Sequence, residues 1–187
     1  MIESRFVVHH DKQESLTLRI SSGTQREKKR LLGHIDGLRD QTILVIDLGD
    51  QPLNSSVLDE LLCREVLRRL RDPDEPVIYP VLTGLHPHSE DELRLGARAS
   101  NKSNIVFVAR TGQGCKLVGL PTNEVEKTYG SLEVGVATAR ELADHTGLPI
   151  NAAHNRLRLL HSLRLAIKKG AEPAPGGGRQ HRYLPVQ

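Results

Sequence analysis

The segment Thr42–Leu48 (TILVIDL) is a short and almost continuous run of apolar residues. Such a run is typical of a strand that is buried on both faces, as in sheets that helices cover. The next segment, Ser55–Leu70, repeats its apolar residues at helical spacing. Further predicted strands are Ser15–Ile20, Val77–Leu82, Asn104–Arg110 and Cys115–Leu120, and further predicted helices are Thr24–Leu38 and Ser89–Ala99. Strands that alternate with helices predict an α/β layer architecture for residues 1–120.

Local signals predict where these helices begin and where one strand is irregular. The candidate N-cap side chains are Thr24, Ser55 or Ser56, and Ser89, which Glu92 follows at the spacing of a capping box. Pro80 removes a backbone donor from its strand, so we expect an edge strand or a bulge there.

Composition excludes several functional classes. Aromatic residues make up only 3% of the chain and tryptophan is absent, which argues against an aromatic platform for single-stranded nucleic acid. The two cysteines, Cys63 and Cys115, are far apart and predict neither a disulfide scaffold nor a cysteine-rich zinc site. The apolar runs are too short for a membrane span or a signal peptide. We therefore expect a cytoplasmic protein without a membrane partner.

Positive charge is concentrated toward the C-terminus. Residues 136–187 contain eight Lys or Arg against three acidic residues, whereas the whole chain has a net charge of only +3. A basic end suits contact with a polyanion, although a solvated basic tail would have the same composition. Charge alone does not distinguish a polyanion-binding surface from a solvated tail, so the distinction depends on the sequence pattern.

The basic region has the pattern of two helices joined by a tight turn. Thr138–Thr146 and Ile150–Ser162 have helical spacing, and Gly147 between them can adopt a positive φ at low cost. A preceding helix is predicted over Thr122–Leu132, with Thr122 as its cap. Two strands follow, Leu163–Lys169 and Gln180–Pro185, joined by a flexible tip over Ala171–Gly178.

The segment from Thr138 to Tyr183 resembles the winged helix-turn-helix DNA-binding domain of bacterial and archaeal transcription regulators. The residues that carry the resemblance are TARELADHTGLPINAAHNRLRLL, followed by a turn into a hairpin that ends in Arg-Tyr. The resemblance implies that double-stranded DNA is the partner and that the second helix enters the major groove. It also implies a homodimer, since two half-sites raise affinity and specificity.

Helical geometry predicts which side chains would read bases. Ala153, Leu157 and Leu160 share one face, so Asn151, Asn155 and Arg158 fall on the other, with His154 beside them. Asn suits adenine and Arg suits guanine in the major groove. The candidate contacts to phosphate or from the wing are Arg156, Lys168, Lys169, Arg179, His181 and Arg182. Arg156 could form either a phosphate contact or a surface ion pair. The exposed face of the second helix could also bind a protein instead of DNA.

The segment Ile43–Leu62 (ILVIDLGDQPLNSSVLDELL) resembles the STAS domain of anti-sigma-factor antagonists and related STAS-like domains of prokaryotes. In such antagonists a serine at a helix start is phosphorylated, which makes Ser55 or Ser56 the possible phosphorylation site. In that family an Asp usually precedes the serine and a small Gly or Ala follows it, whereas this chain has Asn54 and Val57. We therefore favour helix capping over phosphorylation as the role of these serines.

Other chemical signals are weak. His9-His10 and His86-Pro87-His88 lack a second ligand set, so we expect surface histidines rather than a metal site. The segment Gly112–Gly114 reads as a hairpin turn, not a nucleotide loop. Asp47, Asp50, Asp59 and Glu60 form no paired arrangement that suits catalysis. The sequence thus predicts no enzyme activity and no cofactor.

Together these patterns predict two domains: a STAS-like α/β domain over residues 1–120 and an α+β winged helix-turn-helix domain over residues 121–187. The first would mediate dimerisation or sense a regulatory protein partner, and the second would bind operator DNA. The alternative is an anti-sigma-antagonist-like protein-interaction switch that does not bind DNA directly.

Overall fold

The computed structural model describes residues 1–9, 22–99, 105–174 and 177–187. The predicted strand Ser15–Ile20, His10, and part of the tip Ala171–Gly178 lie outside the described residues. The chain divides into two compact units, Met1–Leu120 with Gln187, and Pro121–Val186.

The first unit is a mixed α/β fold built on one five-stranded sheet. Its strands, in both chain order and spatial order, are β1 (Ile2–Val7), β2 (Thr42–Gln51), β3 (Ile78–Leu85), β4 (Val106–Thr111) and β5 (Gly114–Gly119). The first four strands run parallel, while β5 returns antiparallel to β4 through a tight hairpin, as the sequence predicts.

The helices of this unit are α1 (Ser22–Asp36), α2 (Ser55–Leu58), a π-helical turn (Asp59–Cys63), α3 (Glu65–Leu70) and α4 (Pro87–Ala99). Leu44 and Ile46 of β2 are fully buried in the same cluster as Leu31 of α1 and Leu62 of the π-helical turn. The neighbouring Val45 is buried as well. Strand β2 is therefore buried on both faces, which confirms the inference drawn from its continuous apolar run.

The predicted consequence of Pro80 is wrong. Strand β3 is the central strand of the sheet, not an edge, and its only register shift against β2 lies elsewhere, between Asp47 and Gln51. Pro80 is aligned with Leu44 of β2, and the pairing of β3 with β4 begins only at Val81. The ladder to β4 thus starts after the proline, where a backbone donor is again present.

The predicted helix Ser55–Leu70 is interrupted, and neither serine caps it. Asn54 is the N-cap, because its backbone is extended and its side-chain Oδ1 accepts a 3.0 Å hydrogen bond from the Val57 N–H. Ser55 and Ser56 are instead the first helical residues. The π-helical turn and the non-helical backbone of Arg64 then separate α2 from α3.

The capping roles predicted for Thr24 and Ser89 are also wrong, because both residues lie inside their helices. The fully buried Ser89 serves a different element: its Oγ accepts from the Leu53 N–H at 2.8 Å and donates to the Gln51 carbonyl at 3.0 Å. Ser89 therefore fastens the segment that connects β2 with α2 to helix α4.

The second unit contains three helices followed by a two-stranded hairpin. The elements are α5 (Asn123–Glu133), α6 (Ala139–Thr146), α7 (Ile150–Ser162), β6 (Ala166–Pro173) and β7 (Arg179–Pro185). Thr122 caps α5 as predicted, with its Oγ1 accepting from the Val125 N–H. The strands β6 and β7 are antiparallel, and the Tyr183 N–H donates to the Ala137 carbonyl at 2.7 Å. This bond ties the hairpin to the segment before α6.

An apolar core holds the three helices of this unit together. Its fully or nearly fully buried members are Val125, Tyr129, Leu132, Leu142, Ala153, Leu157, Leu160 and Tyr183. The Tyr129 hydroxyl donates to the Val186 carbonyl at 2.6 Å, so this buried polar group is satisfied. No helix among the described residues is both long and apolar enough to cross a membrane.

Candidate nucleic-acid interface

A complete capping box fixes the start of α6. The Thr138 hydroxyl accepts from the Glu141 N–H at 3.2 Å, and the Glu141 carboxylate accepts from the N–H groups of Ala137 at 2.7 Å and Thr138 at 3.0 Å. The hydrogen bond from Ala137 is the main reason why the pKa of Glu141 lies below its ordinary value. The charged carboxylate thus stabilises the helix start that leads into the turn.

The turn between α6 and α7 depends on Gly147. Its φ of 71° lies in the left-handed region, and its N–H donates to the Ala143 carbonyl at 2.8 Å, which ends α6. Pro149 then precedes the first residue of α7, Ile150. The predicted bounds of α7 and the predicted role of Gly147 are both confirmed.

The two faces of α7 differ in burial and in chemistry. Ala153, Leu157 and Leu160 are fully buried against the rest of the unit. The four candidate base-reading side chains are all on the exposed side: Asn151, His154, Asn155 and Arg158. No acidic residue occurs anywhere in α7. The exposed face therefore offers hydrogen-bonding and cationic groups without a competing carboxylate from its own helix.

Arg156 is placed differently from these four residues. Its guanidinium lies 2.6 Å from the carboxylate of Glu124 on α5, and its side chain is only 26% exposed. Of the two roles that the sequence left open for Arg156, the structure contains the ion pair.

Some basic residues of the hairpin are exposed without an ion-pair partner, and others bond to groups of the hairpin itself. Lys168 and Lys169 are exposed on β6, and neither has an ion-pair partner among the described residues. On β7, Arg179 donates to the Ala171 carbonyl at 3.0 Å, and His181 contacts the Lys169 carbonyl at 3.3 Å. The Arg182 guanidinium pairs with Glu172 at 3.4 Å.

His161 connects α7 to the hairpin, a role that the sequence reasoning missed. Its Nδ1 lies 3.0 Å from the Ala166 carbonyl oxygen, and its ring meets the edge of Tyr183 at a centroid distance of 6.4 Å. Burial lowers the pKa of His161, which favours the neutral ring. Burial raises the pKa of the Tyr183 phenol, and the cation of Arg158 partly opposes this. The position of His161, four residues after the buried Leu157, is the signal that could have revealed its inward direction.

The candidate phosphorylation sites lie in the other unit and are partly exposed. Ser55 and Ser56 occupy the first turn of α2. The Ser55 N–H donates to the Glu92 carboxylate of α4 at 2.8 Å. A carboxylate therefore already occupies the backbone donor that a phosphate on Ser55 would seek, and it would repel that phosphate.

Two of the isolated acidic residues, Asp47 and Glu60, are engaged in ion pairs. Asp47 pairs with Arg5, and this hydrogen bond is the main reason why the pKa of Asp47 is lowered. Glu60 accepts from Lys28, which lowers the pKa of Glu60 in the same way. Among the described residues, no group of three or more His, Cys, Asp or Glu could hold a metal ion.

Comparisons with protein families, with curated proteins and with solved structures found no match to this chain.

Proposed function

We propose that this protein is a DNA-binding transcriptional regulator that reads duplex DNA with α7, in the manner of a winged helix-turn-helix domain. The observation that carries the proposal is the exposed face of α7, where Asn151, His154, Asn155 and Arg158 stand free of the core. Asn can pair with the adenine edge, Arg can pair bidentately with guanine, and the major groove is wide enough to admit a helix.

The order of elements in the second unit supports this assignment. The capping box at Thr138, the left-handed Gly147 and the hairpin bonded to Ala137 occur in the order that a winged helix-turn-helix requires. In this assignment the hairpin is the wing, and its exposed Lys168 and Lys169 contact phosphates or the minor groove. Arg179 and His181 would act from the same hairpin, while Arg156 remains with Glu124 and Arg182 remains with Glu172.

Charge is distributed unevenly over the second unit, which also favours a polyanion. Three acidic residues of this unit, Glu124, Glu126 and Glu133, lie on α5. Apart from Lys127 on α5, the exposed basic side chains of the unit lie on α6, α7 and the hairpin, where they outnumber the acidic residues Glu141, Asp144 and Glu172. A duplex approached by α7 therefore meets cations first, which raises affinity and the rate of association.

We infer that the first unit, which we take to be STAS-like, brings two copies together or senses a regulatory protein partner. One α7 helix reads few base pairs, so a homodimer on two half-sites, one helical turn apart, supplies the missing specificity. The second candidate function, a protein-interaction switch without DNA binding, is favoured only by the partial exposure of Ser55 and Ser56. It predicts capture of a protein partner and no affinity for duplex DNA.

The decisive experiment measures binding of the full chain to duplex DNA across a series of salt concentrations. Lys169→Ala should weaken binding equally on all sequences and make the slope of log K against log salt shallower by about 0.9 for each lost phosphate contact. The control is Lys127→Ala, an exposed lysine on α5, which should leave the slope unchanged. Absence of duplex binding at low salt would refute the proposal.

A further inference from the structure

Ile150, the first residue of α7, leaves about half of a large apolar side chain exposed. Its side chain is 48% exposed, whereas Leu157 and Leu160 of the same helix are fully buried. An isoleucine in this position forgoes much of the free energy that burial would supply. Its exposure therefore suits contact with another molecule.

The position of Ile150 places it in the same surface row as two candidate base-reading residues. Ile150, His154 and Arg158 are spaced by four residues, and such residues are neighbours on the surface of a helix. Ile150 lies at the N-terminal end of this row, directly after the Gly147 turn and Pro149. The N-terminal residues of a recognition helix are those that approach base edges most closely.

We propose that Ile150 reads the C5-methyl group of a thymine in the major groove. This proposal rests on the proposed function. Thymine is the only one of the four bases that presents a methyl group there, and an apolar side chain is what such a group contacts favourably. Amides, imidazoles and guanidiniums read donors and acceptors, so Asn151, His154 and Arg158 leave this feature of the base pair unread.

The surroundings of Ile150 distinguish this role from a contact with a protein. The next residue, Asn151, and the residue one turn later, His154, are polar and exposed. A protein interface generally has an apolar centre formed by several residues. Pro149, just before the helix, is also exposed, but along the exposed face of α7 the side chain of Ile150 is followed only by hydrogen-bonding groups. That arrangement matches a base pair better, because a thymine methyl lies next to the polar edge of its own pair.

The test uses the full chain and a duplex recovered by selection from a pool of random sequences. Each thymidine of that duplex is replaced in turn by deoxyuridine, which removes only the methyl group. We expect the wild-type chain to lose about fourfold in affinity at one thymine of each half-site, the factor that corresponds to burial of one methyl-sized group. Ile150→Ala should bind the thymidine duplex and the duplex with deoxyuridine at that position with equal affinity. Ile150→Val should keep part of the fourfold difference in affinity.

Two controls make the outcome specific. Val134→Ala removes another exposed apolar side chain of the same unit, 71% exposed, and should keep the full loss on deoxyuridine. Because Ile150 is only half buried, Ile150→Ala should be only slightly less stable than the wild type, and both Ile150 variants should remain folded under the binding conditions. The inference is overturned if no thymine position responds to deoxyuridine, or if Ile150→Ala responds as strongly as the wild type. Failure to recover any duplex would refute DNA binding itself, which is a different result.

Discussion

Arg156 and Arg158 lie two residues apart on α7, and their surroundings predict opposite consequences of replacing them with alanine. The Arg156 guanidinium is 2.6 Å from the Glu124 carboxylate, with side-chain exposures of 26% for Arg156 and 48% for Glu124. Arg158 is exposed, and no hydrogen bond or ion pair engages it among the described residues. One arginine thus holds α7 to α5, and the other is available to DNA.

The expected magnitudes follow from these surroundings. A partly exposed ion pair contributes about 0.2–1 kcal/mol, so Arg156→Ala should lower the free energy of unfolding by that amount. Arg158→Ala should change the free energy of unfolding by less than about 0.5 kcal/mol. A bidentate contact with guanine discriminates by about 1–3 kcal/mol, so Arg158→Ala should weaken duplex binding roughly 5- to 150-fold. It should also relax the base preference at one position of each half-site.

Chemical denaturation and duplex titration at one fixed salt concentration separate the effect on stability from the effect on binding. Both are measured on the wild type, Arg156→Ala and Arg158→Ala. The matched variant Glu124→Ala should reproduce the stability loss of Arg156→Ala without a loss of base preference. The reasoning fails if Arg156→Ala rather than Arg158→Ala relaxes base preference, or if Arg158→Ala binds every sequence as the wild type does.

Three further predictions concern stability and are measured by denaturant unfolding. Glu141→Gln should lower the free energy of unfolding at neutral pH, and its difference from the wild type should disappear in acid. The pKa of Glu141 is lowered in the folded chain, so the charged carboxylate stabilises fully above the ordinary glutamate pKa. This stabilisation is lost as the pH falls through the pKa of the folded state. A difference that is constant with pH would contradict this. Ser89→Ala should cost about 1–3 kcal/mol because the buried Leu53 N–H loses its acceptor, whereas an unchanged midpoint would exclude that role. Gly84→Ala should cost at least ~1–2 kcal/mol, since Gly84 has a φ of 58° and a Cβ there would lie 2.7 Å from Asp47 Oδ1; wild-type stability would refute the clash.

The parts of the second unit that the sequence predicted well depend on local chemistry. The Thr122 cap, the left-handed Gly147 and the bounds of α7 each follow from residues within one or two helical turns of one another. The exposed face of α7 follows in the same way, because the three buried residues Ala153, Leu157 and Leu160 fix the rotation of the helix.

The error at Ser55 and Ser56 is local, because the adjacent Asn54 is the cap. The errors at Ser89 and Pro80 involve partners that are distant in the chain. Ser89 has the local pattern of a cap, yet its hydroxyl bonds to Leu53, which lies 36 residues earlier. Glu92, the other half of that pattern, bonds to Ser55 instead. Pro80 lies in the central strand because the pairing with β4 begins after it, which depends on the register of another strand. No local rule contains this information, since tertiary contacts override cap and strand preferences.

The same distinction limits what a count of charges can say about DNA binding. Residues 136–187 contain eight basic residues, but Arg156 and Arg182 are paired with Glu124 and Glu172, and Arg164 is only 5% exposed. Five cations remain for phosphates or bases. At about 0.9 for each phosphate neutralised, this region should give a slope of log K against log salt no steeper than about −4.5 per bound subunit, whereas eight contacts would give about −7. If both ion pairs open on DNA, Arg156 and Arg182 join the five other cations and the slope should approach about −6. A measured slope that steep, unchanged in Glu124→Ala and Glu172→Ala, would mean that both arginines leave their partners and bind DNA.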